Sequence, residues 1–268
     1  MTALIVIPAR WGSTRLPGKP LADLAGKTLL QRAAEVGALA ASRRPGTEIV
    51  VATDDDRIAD HARALGHAVV MTPTQLANGT ARALAAARAM AVEPAMIINL
   101  QGDNPFTPPA TLLAMIDALA AGAEVTTPVI ALDWDGLDAL RRQKLRSPFS
   151  GTTCVRDGGG RALWFSKQVI PAIRDEAGER ARSAVSPVFR HVGLYGYTLG
   201  ALEAFCAAPV SPYERLEGLE QLRFLELGLA VQTVPVSGHR LSMSGIDTPE
   251  DLAAARRLLA AHGEPDWR

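Results

Sequence analysis

The sequence predicts an α/β protein with a mainly parallel central sheet, helices on both faces and a β-rich insertion. Short apolar runs alternate with longer Ala- and Leu-rich stretches through the first half of the 268-residue chain. This rhythm is typical of strand–helix–strand units, whose strands pair in parallel. Between about residues 125 and 200, shorter strand-like runs separated by Gly- and Pro-containing loops predict the insertion. Because no linker or repeat interrupts the chain, we expect a single domain over residues 1–268.

The elements of the first half follow from their apolar patterns. The run Leu4–Ile7 is short, apolar and typical of a buried strand. In chain order we predict strands at 4–7, 48–53, 68–71 and 96–100, and helices at 28–41, 57–65 and 79–90. Ligands of such sheets bind at the carboxyl ends of the strands, so the residues that follow each strand are the first candidates for a site.

The elements of the second half rest on shorter patterns. Three glycines at 158–160 indicate a turn between two strands, and a loop is expected through Pro187. Thr248 and Asp251, with Pro249 at the first helical position, form a helix-start signature. The predicted strands are 124–132, 152–155, 161–165, 191–198 and 231–236. An amphipathic segment at 216–226 precedes the last of these strands, and a helix at 248–259 follows it.

Composition and charge exclude several classes of protein. Hydrophobic residues make up 48% of the chain, so it can bury enough apolar surface to fold and is not disordered. The 28 Lys and Arg balance 28 Asp and Glu, which disfavours nucleic acid as the main partner but allows a local basic pocket for a small anion. We expect no membrane span, because no uncharged apolar run reaches about 18 residues. Cys154 and Cys206 lack metal-ligand spacing and are expected to be buried thiols in the cytoplasm.

A basic loop follows the first strand. It extends from Arg10 to Lys19, includes Arg15 and two glycines, and contains one of only four lysines in the chain. Guanidinium, ammonium and backbone N–H groups together bind polyphosphates, so this loop predicts phosphate binding; a solvated surface loop is the alternative. The loop does not match the Walker A pattern. No Gly-x-Gly-x-x-Gly sequence follows a strand, which disfavours a nicotinamide-dependent dehydrogenase.

Two aspartates are candidates for a Mg²⁺ site. Asp103 follows the predicted strand 96–100 and therefore lies at the same edge of the sheet as the basic loop. Mg²⁺ usually binds one or two carboxylates together with phosphate oxygens and water. Asp247 is the second candidate, although taken alone it is more simply a helix cap or turn residue before 248–259. The pair predicts a metal site only if the fold brings both carboxylates together.

Six blocks of the sequence resemble the 3-deoxy-manno-octulosonate (Kdo) cytidylyltransferase family, the CMP-Kdo synthetases. They occur in unbroken order between residues 4 and 259 and read IPARWGSTRLPGKPLADLAGK, VVATDDDRIA, NLQGDNPF, RHVGLYGY, LEGLEQLR and GIDTPEDL. The first block also fits other sugar nucleotidyltransferases, including CMP-sialate synthetases, whereas the later blocks favour the Kdo branch. The resemblance implies a Rossmann-like nucleotidyltransferase fold and transfer of CMP from CTP to an acidic sugar. It also implies Mg²⁺ as cofactor, a place in lipopolysaccharide biosynthesis, and a homodimer.

The same resemblance assigns roles to individual positions. Arg15, Lys19 and Asp103 would be catalytic, and Asp103 and Asp247 would hold Mg²⁺. The nucleotide would be bound by Arg10, Ser13, Arg15, Lys19, Asn78 and Gly79. The acceptor would be bound by Arg82, Gln101, Arg174, His191, Tyr195, Glu217, Glu220 and Gln221. An arginine suits a sugar carboxylate, and amide, phenol and carboxylate groups suit its hydroxyls.

Simpler roles remain open for several acceptor-side residues. His191 is also consistent with a hydrogen-bonded structural histidine, and Tyr195 with a core residue. Glu217 and Glu220, three residues apart on a predicted helix, are also consistent with a solvated helix face. No residue is assigned as a general base, since ionisation of the acceptor hydroxyl by the metal could suffice.

The chain departs from the family pattern near the expected base and sugar. Leu76 and Ala81 stand where the family usually has a histidine and an acid, Asn104 where Glu is usual, and Thr153 where Lys is frequent. The phosphate and metal positions are retained. Two alternatives to Kdo transfer therefore stay open. One is a different acid as acceptor, such as 8-amino-Kdo or a small phosphonate like phosphonoformate. The other is a non-catalytic nucleotide-binding protein on the same scaffold.

Overall fold

A ten-stranded sheet runs through the protein, for which the computed structural model describes residues 2–12, 15–238, 241 and 245–267. The strands of the chain are β1 (Ala3–Ala9), β2 (Asp23–Leu24), β3 (Lys27–Thr28), β4 (Thr47–Thr53), β5 (Ala68–Met71), β6 (Met96–Asn99), β7 (Val125–Asp133), β8 (Thr153–Arg156), β9 (Ala162–Ser166), β10 (Val185–His191), β11 (Tyr195–Thr198) and β12 (Val231–Pro235). The main sheet has the order β5-β4-β1-β6-β11-β7-β10-β8-β9 with β12 beside β7, and β2 and β3 form a separate hairpin. Its first four strands are parallel.

Helices cover both faces of this sheet. They are α1 (Leu29–Ser42), α2 (Asp56–Ala64), α3 (Gly79–Arg88), α4 (Pro109–Ala120), α5 (Trp134–Arg146), α6 (Glu176–Arg182), α7 (Leu199–Ala207), α8 (Pro212–Glu217), α9 (Gln221–Glu226) and α10 (Pro249–His262). Alternate residues of β1 point to opposite faces. Leu4 and Val6 belong to a hydrophobic cluster with α3 and α7, whereas Ile5 and Ile7 belong to one with α1 and α4. The predicted α/β fold with a mainly parallel central region and helices on both faces is confirmed.

The strands between residues 125 and 198 extend the same sheet. β11 lies between β6 and β7 and is antiparallel to both. At Gly196 a Cβ atom would lie 2.6 Å from Thr126 Oγ1 and 2.7 Å from Ile98 Cδ1, so a larger residue there would force these side chains to shift. Beyond β7, the strands β10, β8 and β9 continue as antiparallel pairs. The β-rich segment is thus part of the central sheet.

Three segments differ from the sequence-based predictions. The predicted loop that ends at Pro187 contains helix α6, and its last residues begin strand β10, whose register is irregular between Val185 and Phe189, where proline is tolerated. The predicted strand 191–198 is interrupted, since β10 ends at His191 and β11 begins at Tyr195. The predicted helix 216–226 is broken at Gly218, whose φ of 64° ends α8.

The predicted start of the last helix is confirmed. Thr248 and Asp251 form the predicted capping box of α10. Helices α4, α5, α6 and α7 are absent from the predictions, although the Asp133 side chain caps α5 by accepting a hydrogen bond from Gly136 N at 2.7 Å. Among the described residues, no helix is long and apolar enough to cross a membrane. Both cysteines are free thiols, with Cys154 buried and Cys206 partly buried.

Candidate active site

Two cavities open at the carboxyl ends of the parallel strands and adjoin one another. One, of about 270 Å³, lies beside the loop that follows β1 and is called the loop cavity below. The other, of about 480 Å³, lies between β10, β11 and the α8–α9 corner and is called the corner cavity. Four residues line both cavities, namely Gly79, Gln101, Asp103 and Asp247. A group held in one cavity can therefore meet a group held in the other at the two carboxylates.

The loop cavity collects the predicted basic side chains. Arg10, Arg15 and Lys19 all line it, as the sequence predicted, whereas Ser13 lies outside the described residues. The loop turns at Gly18, where φ is 66° and a Cβ atom would lie 2.9 Å from the Trp11 ring. Three cations on a backbone that approaches closely form a binding site for an anionic group.

Lys19 joins the two predicted metal ligands. Its Nζ donates hydrogen bonds to Asp103 Oδ2 at 2.8 Å and to Asp247 Oδ1 at 3.0 Å. Arg15 Nη2 lies 3.1 Å from Asp247 Oδ2. Burial lowers the pKa of Lys19, but the charges and hydrogen bonds of the two aspartates outweigh it, and the pKa is raised. Thr248, not Asp247, caps α10, so the interpretation of Asp247 as a helix cap is wrong.

The donor set of this carboxylate pair fits Mg²⁺. A single cationic group already contacts both carboxylates, which shows that one cation can be shared between them. In the ranges that the structure describes, no group of three or more His, Cys, Asp or Glu side chains is arranged to hold a metal ion. Two carboxylates without nitrogen or sulfur donors suit a hard cation that takes its remaining ligands from phosphate and water.

Arg82 belongs to the loop cavity and does not line the corner cavity. Its side chain is almost fully buried, with Nη2 2.8 Å from Asp54 Oδ2 and Nη1 donating to Thr72 Oγ1. The sequence placed Arg82 at the acceptor. Its guanidinium joins α3 to the residue that follows β4, and a role at the acceptor stays a prediction.

The N-terminus of α3 connects the two cavities. Asn78 caps the helix by accepting from Ala81 N at 2.8 Å. Its Nδ2 also donates to Glu220 Oε1 at 2.7 Å, and Thr80 Oγ1 donates to Glu220 Oε2 at 2.7 Å. Burial is the main cause of a raised pKa at Glu220. Glu220 therefore lines the corner cavity while both of its oxygens hold the helix start beside the loop cavity.

Tyr195 and Gln221 form a buried pair on the wall of the corner cavity. The Tyr195 hydroxyl donates to Gln221 Oε1 at 2.8 Å. Gln221 is 1% exposed, and its Nε2 has no hydrogen-bond partner within the described part of the chain. A buried amide donor without a partner is costly, which makes Gln221 Nε2 a candidate donor to a ligand in this cavity.

His191 lies on the same wall in its neutral form. Its Nε2 is 2.8 Å from Thr127 Oγ1, and Thr127 donates its single hydroxyl hydrogen to Leu194 O at 2.8 Å. The ring Nε2 therefore carries the hydrogen, and Nδ1 is left as an acceptor. Burial, with a smaller contribution from the charge of Lys167, lowers the pKa of His191 to about 3. With so low a pKa the ring is neutral and a poor base near neutral pH, and the Nδ1 lone pair is free of a proton.

We expect His191 to make the protein sensitive to acid. Its pKa is about 3 in the folded protein and about 6.5 in the unfolded chain. Below about pH 6.5 the unfolded chain binds a proton that the folded protein does not, so stability falls as the pH falls. Between pH 7.5 and 4.5 the wild type should lose up to about 3 kcal/mol more than His191→Gln, measured by urea unfolding of both proteins. Equal losses in both proteins would contradict this.

Two cations that the sequence did not single out line the corner cavity. Lys167 follows β9, and its Nζ donates to Thr152 Oγ1 at 3.2 Å. Arg190 lies in β10, and burial lowers its pKa. No acidic side chain in the described ranges lies within ion-pair distance of Arg190. A half-buried guanidinium without a counterion is suited to an anionic ligand.

Two predicted acceptor residues lie away from the corner cavity. Arg174 is exposed in the segment before α6 and lines neither cavity. Glu217 is the last residue of α8, and its carboxylate accepts from Ser166 Oγ and from Lys167 N, both at 2.8 Å. The break at Gly218 places Glu217 and Glu220 on different elements. Glu217 therefore holds the chain that carries Lys167 and does not line the cavity itself.

Comparison with known proteins identifies the family. A model of the cytidylyltransferase family matches residues 4–231. The chain is 40% identical to the 3-deoxy-manno-octulosonate cytidylyltransferase of Maricaulis maris over 98% of its length and 99% of that protein. It is 43% identical to the Syntrophotalea carbinolica protein of the same name, over 94% of the chain and 96% of that protein. Identity to the Vibrio cholerae protein of that name is 34%, over 98% of the chain and all of that protein.

Solved structures agree with this result. The structure of a CMP:2-keto-3-deoxy-manno-octonic acid synthetase complexed with CTP is similar with a TM-score of 0.82 and 32% identity. The match covers 97% of this chain and 99% of that one. A 4-diphosphocytidyl-2C-methyl-D-erythritol synthase from Anaerococcus prevotii, at 15% identity and a TM-score of 0.59, shares the fold. By sequence and by structure, the chain belongs to the 3-deoxy-manno-octulosonate cytidylyltransferase family.

Proposed function

We propose that the protein transfers CMP from CTP to the anomeric hydroxyl of Kdo in a Mg²⁺-dependent reaction that releases pyrophosphate. The observation that carries this proposal is that two cavities meet at the Asp103–Asp247 pair. Nucleotidyl transfer requires such an arrangement, because the acceptor oxygen must approach the α-phosphorus in line with the leaving group. A protein that only bound a nucleotide would need one cavity.

The loop cavity is the proposed CTP site. Arg10, Arg15 and Lys19 provide positive charge for the triphosphate, and the CTP complex of a structural relative supports this ligand. Asn78 and Gly79 lie at the start of α3, where backbone N–H groups favour an anion. Arg82 also lines this cavity, and its ion pair with Asp54 holds its side chain in place.

The corner cavity is the proposed acceptor site. Lys167 and Arg190 would pair with the sugar carboxylate. Gln221 Nε2 would donate to a sugar hydroxyl, and His191 Nδ1 would accept from one. Glu220 and Tyr195 would hold this wall in place through the hydrogen bonds to Asn78 and Gln221.

In the proposed reaction the anomeric oxygen of the acceptor forms a bond to the α-phosphorus, and the bond from that phosphorus to the bridging oxygen of pyrophosphate breaks. The hydroxyl proton passes to water. Asp103 and Asp247 would hold Mg²⁺, which when bound supplies positive charge to the phosphate oxygens and acidifies a hydroxyl. Arg15 and Lys19 would stabilise the charge that develops on the departing pyrophosphate. The residues of both cavities act mainly by positioning their ligands.

The test is pyrophosphate release with CTP and Mg²⁺ and a panel of acceptors. The panel contains Kdo, 8-amino-Kdo, sialic acid and phosphonoformate, and ATP, GTP and UTP serve as nucleotide controls. We expect the highest kcat/KM with Kdo and CTP. Turnover with another acid but not with Kdo would show that the departures at Leu76 and Ala81 accompany a changed acceptor. No turnover with any pair, together with CTP binding, would favour a non-catalytic protein.

Replacing Lys167 with methionine should weaken acceptor binding selectively. We expect the KM for Kdo to rise by about tenfold or more, since a charge-assisted hydrogen bond to a carboxylate contributes about 1.5–3 kcal/mol. The KM for CTP should change little, because Lys167 lines only the corner cavity. Arg63→Met, which removes a positive charge from an exposed pair with Asp60, is the control. Equal increases in both KM values would contradict the assignment.

We also propose that the protein is a cytoplasmic homodimer. The family resemblance supports a dimer, and β9 is an edge strand of the sheet with Leu163 57% exposed. Free thiols and the use of CTP support the cytoplasm. Sedimentation velocity at micromolar concentration would test the dimer, and a purely monomeric profile would exclude it.

A further inference from the structure

The side chain of Lys19 helps to neutralise the carboxylates of Asp103 and Asp247 in the structure. Asp103 Oδ2 and Asp247 Oδ1 both accept from Lys19 Nζ. The other two oxygens also have donors, because Asn104 Nδ2 lies 3.1 Å from Asp103 Oδ1, and Arg15 lies 3.1 Å from Asp247 Oδ2. Every carboxylate oxygen of the pair therefore has a protein donor.

The two carboxylates are held together by the backbone as well. Ile246 N donates to Asp103 O at 2.9 Å, and a Cβ atom at Gly245 would lie 3.1 Å from Asp103 Cγ. The chain before α10 thus packs directly against Asp103. Two like charges held this close are unfavourable unless a cation lies between them. Lys19, with 19% of its side chain exposed, is that cation in the structure.

The local charge has a consequence for metal binding. Lys19 and Arg15 balance Asp103 and Asp247, so the cluster is neutral. A divalent ion that arrives alone meets no net negative charge, and it must displace the ammonium to reach both carboxylates. A nucleoside triphosphate changes this situation, because its phosphates offer Lys19 and Arg15 alternative partners in the same loop cavity.

We propose that Lys19 is an exchangeable counterion of the Asp103–Asp247 pair, which excludes the divalent ion until a nucleoside triphosphate binds. The triphosphate draws Lys19 away from the carboxylates, and these then hold the ion. Metal and nucleotide binding are thereby coupled through one side chain. This inference rests on the proposed role of the two aspartates as metal ligands and adds the order in which the ligands bind.

The experiment measures Mn²⁺ binding to the full chain without acceptor, from the electron paramagnetic resonance signal of free Mn²⁺. In the absence of nucleotide, we expect Lys19→Met to bind Mn²⁺ at least about fivefold more tightly than the wild type, because one positive charge leaves the cluster. Lys27→Met is the matched control. It removes a charge that pairs with Glu35 at 2.7 Å on another element, and it should bind Mn²⁺ as the wild type does.

Two further variants make the result specific. Lys19→Gln should reproduce the tighter binding should the methionine variant fold poorly, as judged by its thermal unfolding. Adding Asp103→Asn to Lys19→Met should remove the gain. A gain smaller than about fivefold in both Lys19 variants, or an equal gain in Lys27→Met, would overturn the proposal.

Mn²⁺ binding in the presence of CTP reports on the two aspartates separately from Lys19. With CTP present, the wild type should bind Mn²⁺ more tightly than CTP alone does, and Asp103→Asn should weaken this binding. Loss of that difference would contradict the metal site itself. If that difference is present, but the Lys19 variants bind Mn²⁺ as the wild type does in the absence of nucleotide, only the role of Lys19 as an exchangeable counterion is contradicted.

Discussion

Replacing Asp103 with asparagine is expected to lower kcat by about 10³-fold. The change keeps the size of the side chain but removes one of the two negative charges that line both cavities, 2.8 Å from Lys19. A metal ion that neutralises phosphate charge contributes several kcal/mol to the transition state, and each 1.4 kcal/mol or so corresponds to about a tenfold change in rate. Steady-state pyrophosphate release at saturating CTP and acceptor measures the effect.

The matched control for this experiment is Asp117→Asn. Asp117 lies on α4 and pairs with Arg44 at the surface, so the same chemical change there should leave kcat unaltered. CTP binding, followed by calorimetry, should persist in Asp103→Asn, since Arg10 and Arg15 still line the loop cavity. An Asp103→Asn protein that retained more than about a tenth of the wild-type kcat would exclude Asp103 as an essential metal ligand.

The largest effect on stability is expected from Glu214→Leu. Glu214 and Arg223 form a buried ion pair between α8 and α9, with Nη2 2.6 Å from Oε1 and each side chain less than a tenth exposed. Arg223 Nη1 also donates to Phe205 O at 3.1 Å. Removing the carboxylate leaves a buried guanidinium uncompensated, which costs about 3–5 kcal/mol. Urea unfolding at pH 7.5 gives the loss directly.

A second substitution distinguishes an unpaired charge from lost packing. The double variant with Glu214→Leu and Arg223→Leu should be at least about 1 kcal/mol more stable than Glu214→Leu alone, since no charge is left buried. The exposed pair of Asp60 and Arg63 is the reference. Asp60→Leu should cost less than about 1 kcal/mol. Arg223→Leu alone completes the comparison. If the double variant lost as much free energy of unfolding as the two single variants together, packing and not charge would dominate this corner.

The parts of the site that follow strand ends could be predicted from sequence. Arg10 follows β1 and Asp103 follows β6, and parallel neighbours bring their carboxyl ends to one edge. Asp247 is different, since it belongs to the segment before α10 and reaches Asp103 through a backbone contact that no local pattern announces. The residues alone make Asp247 a candidate, and the family resemblance favours it as a metal ligand over a helix cap.

The cations of the corner cavity show what sequence could not decide. Arg174 and Arg190 are alike as residue types, and which of them lines the cavity depends on where β10 pairs with β7 and β8. The pairing of β10 is irregular between Val185 and Phe189. Because Pro187 lies in this stretch, the sequence predicts a loop where β10 begins. Lys167 carried a weak signal, as one of only four lysines and at the end of a predicted strand. The ion pair of Arg82 with Asp54 could not be predicted either, because Asp54 follows a different strand.

The position of β11 has a consequence for synthesis on the ribosome. β6 and β7 are made long before β11, yet β11 is the strand that joins them. Until residue 198 has emerged, β6 has an open edge with unpaired backbone groups, which favours association with other chains. The amino-terminal half is thus not a unit that can finish folding early. Chains that end before β11 would keep this edge of β6 open.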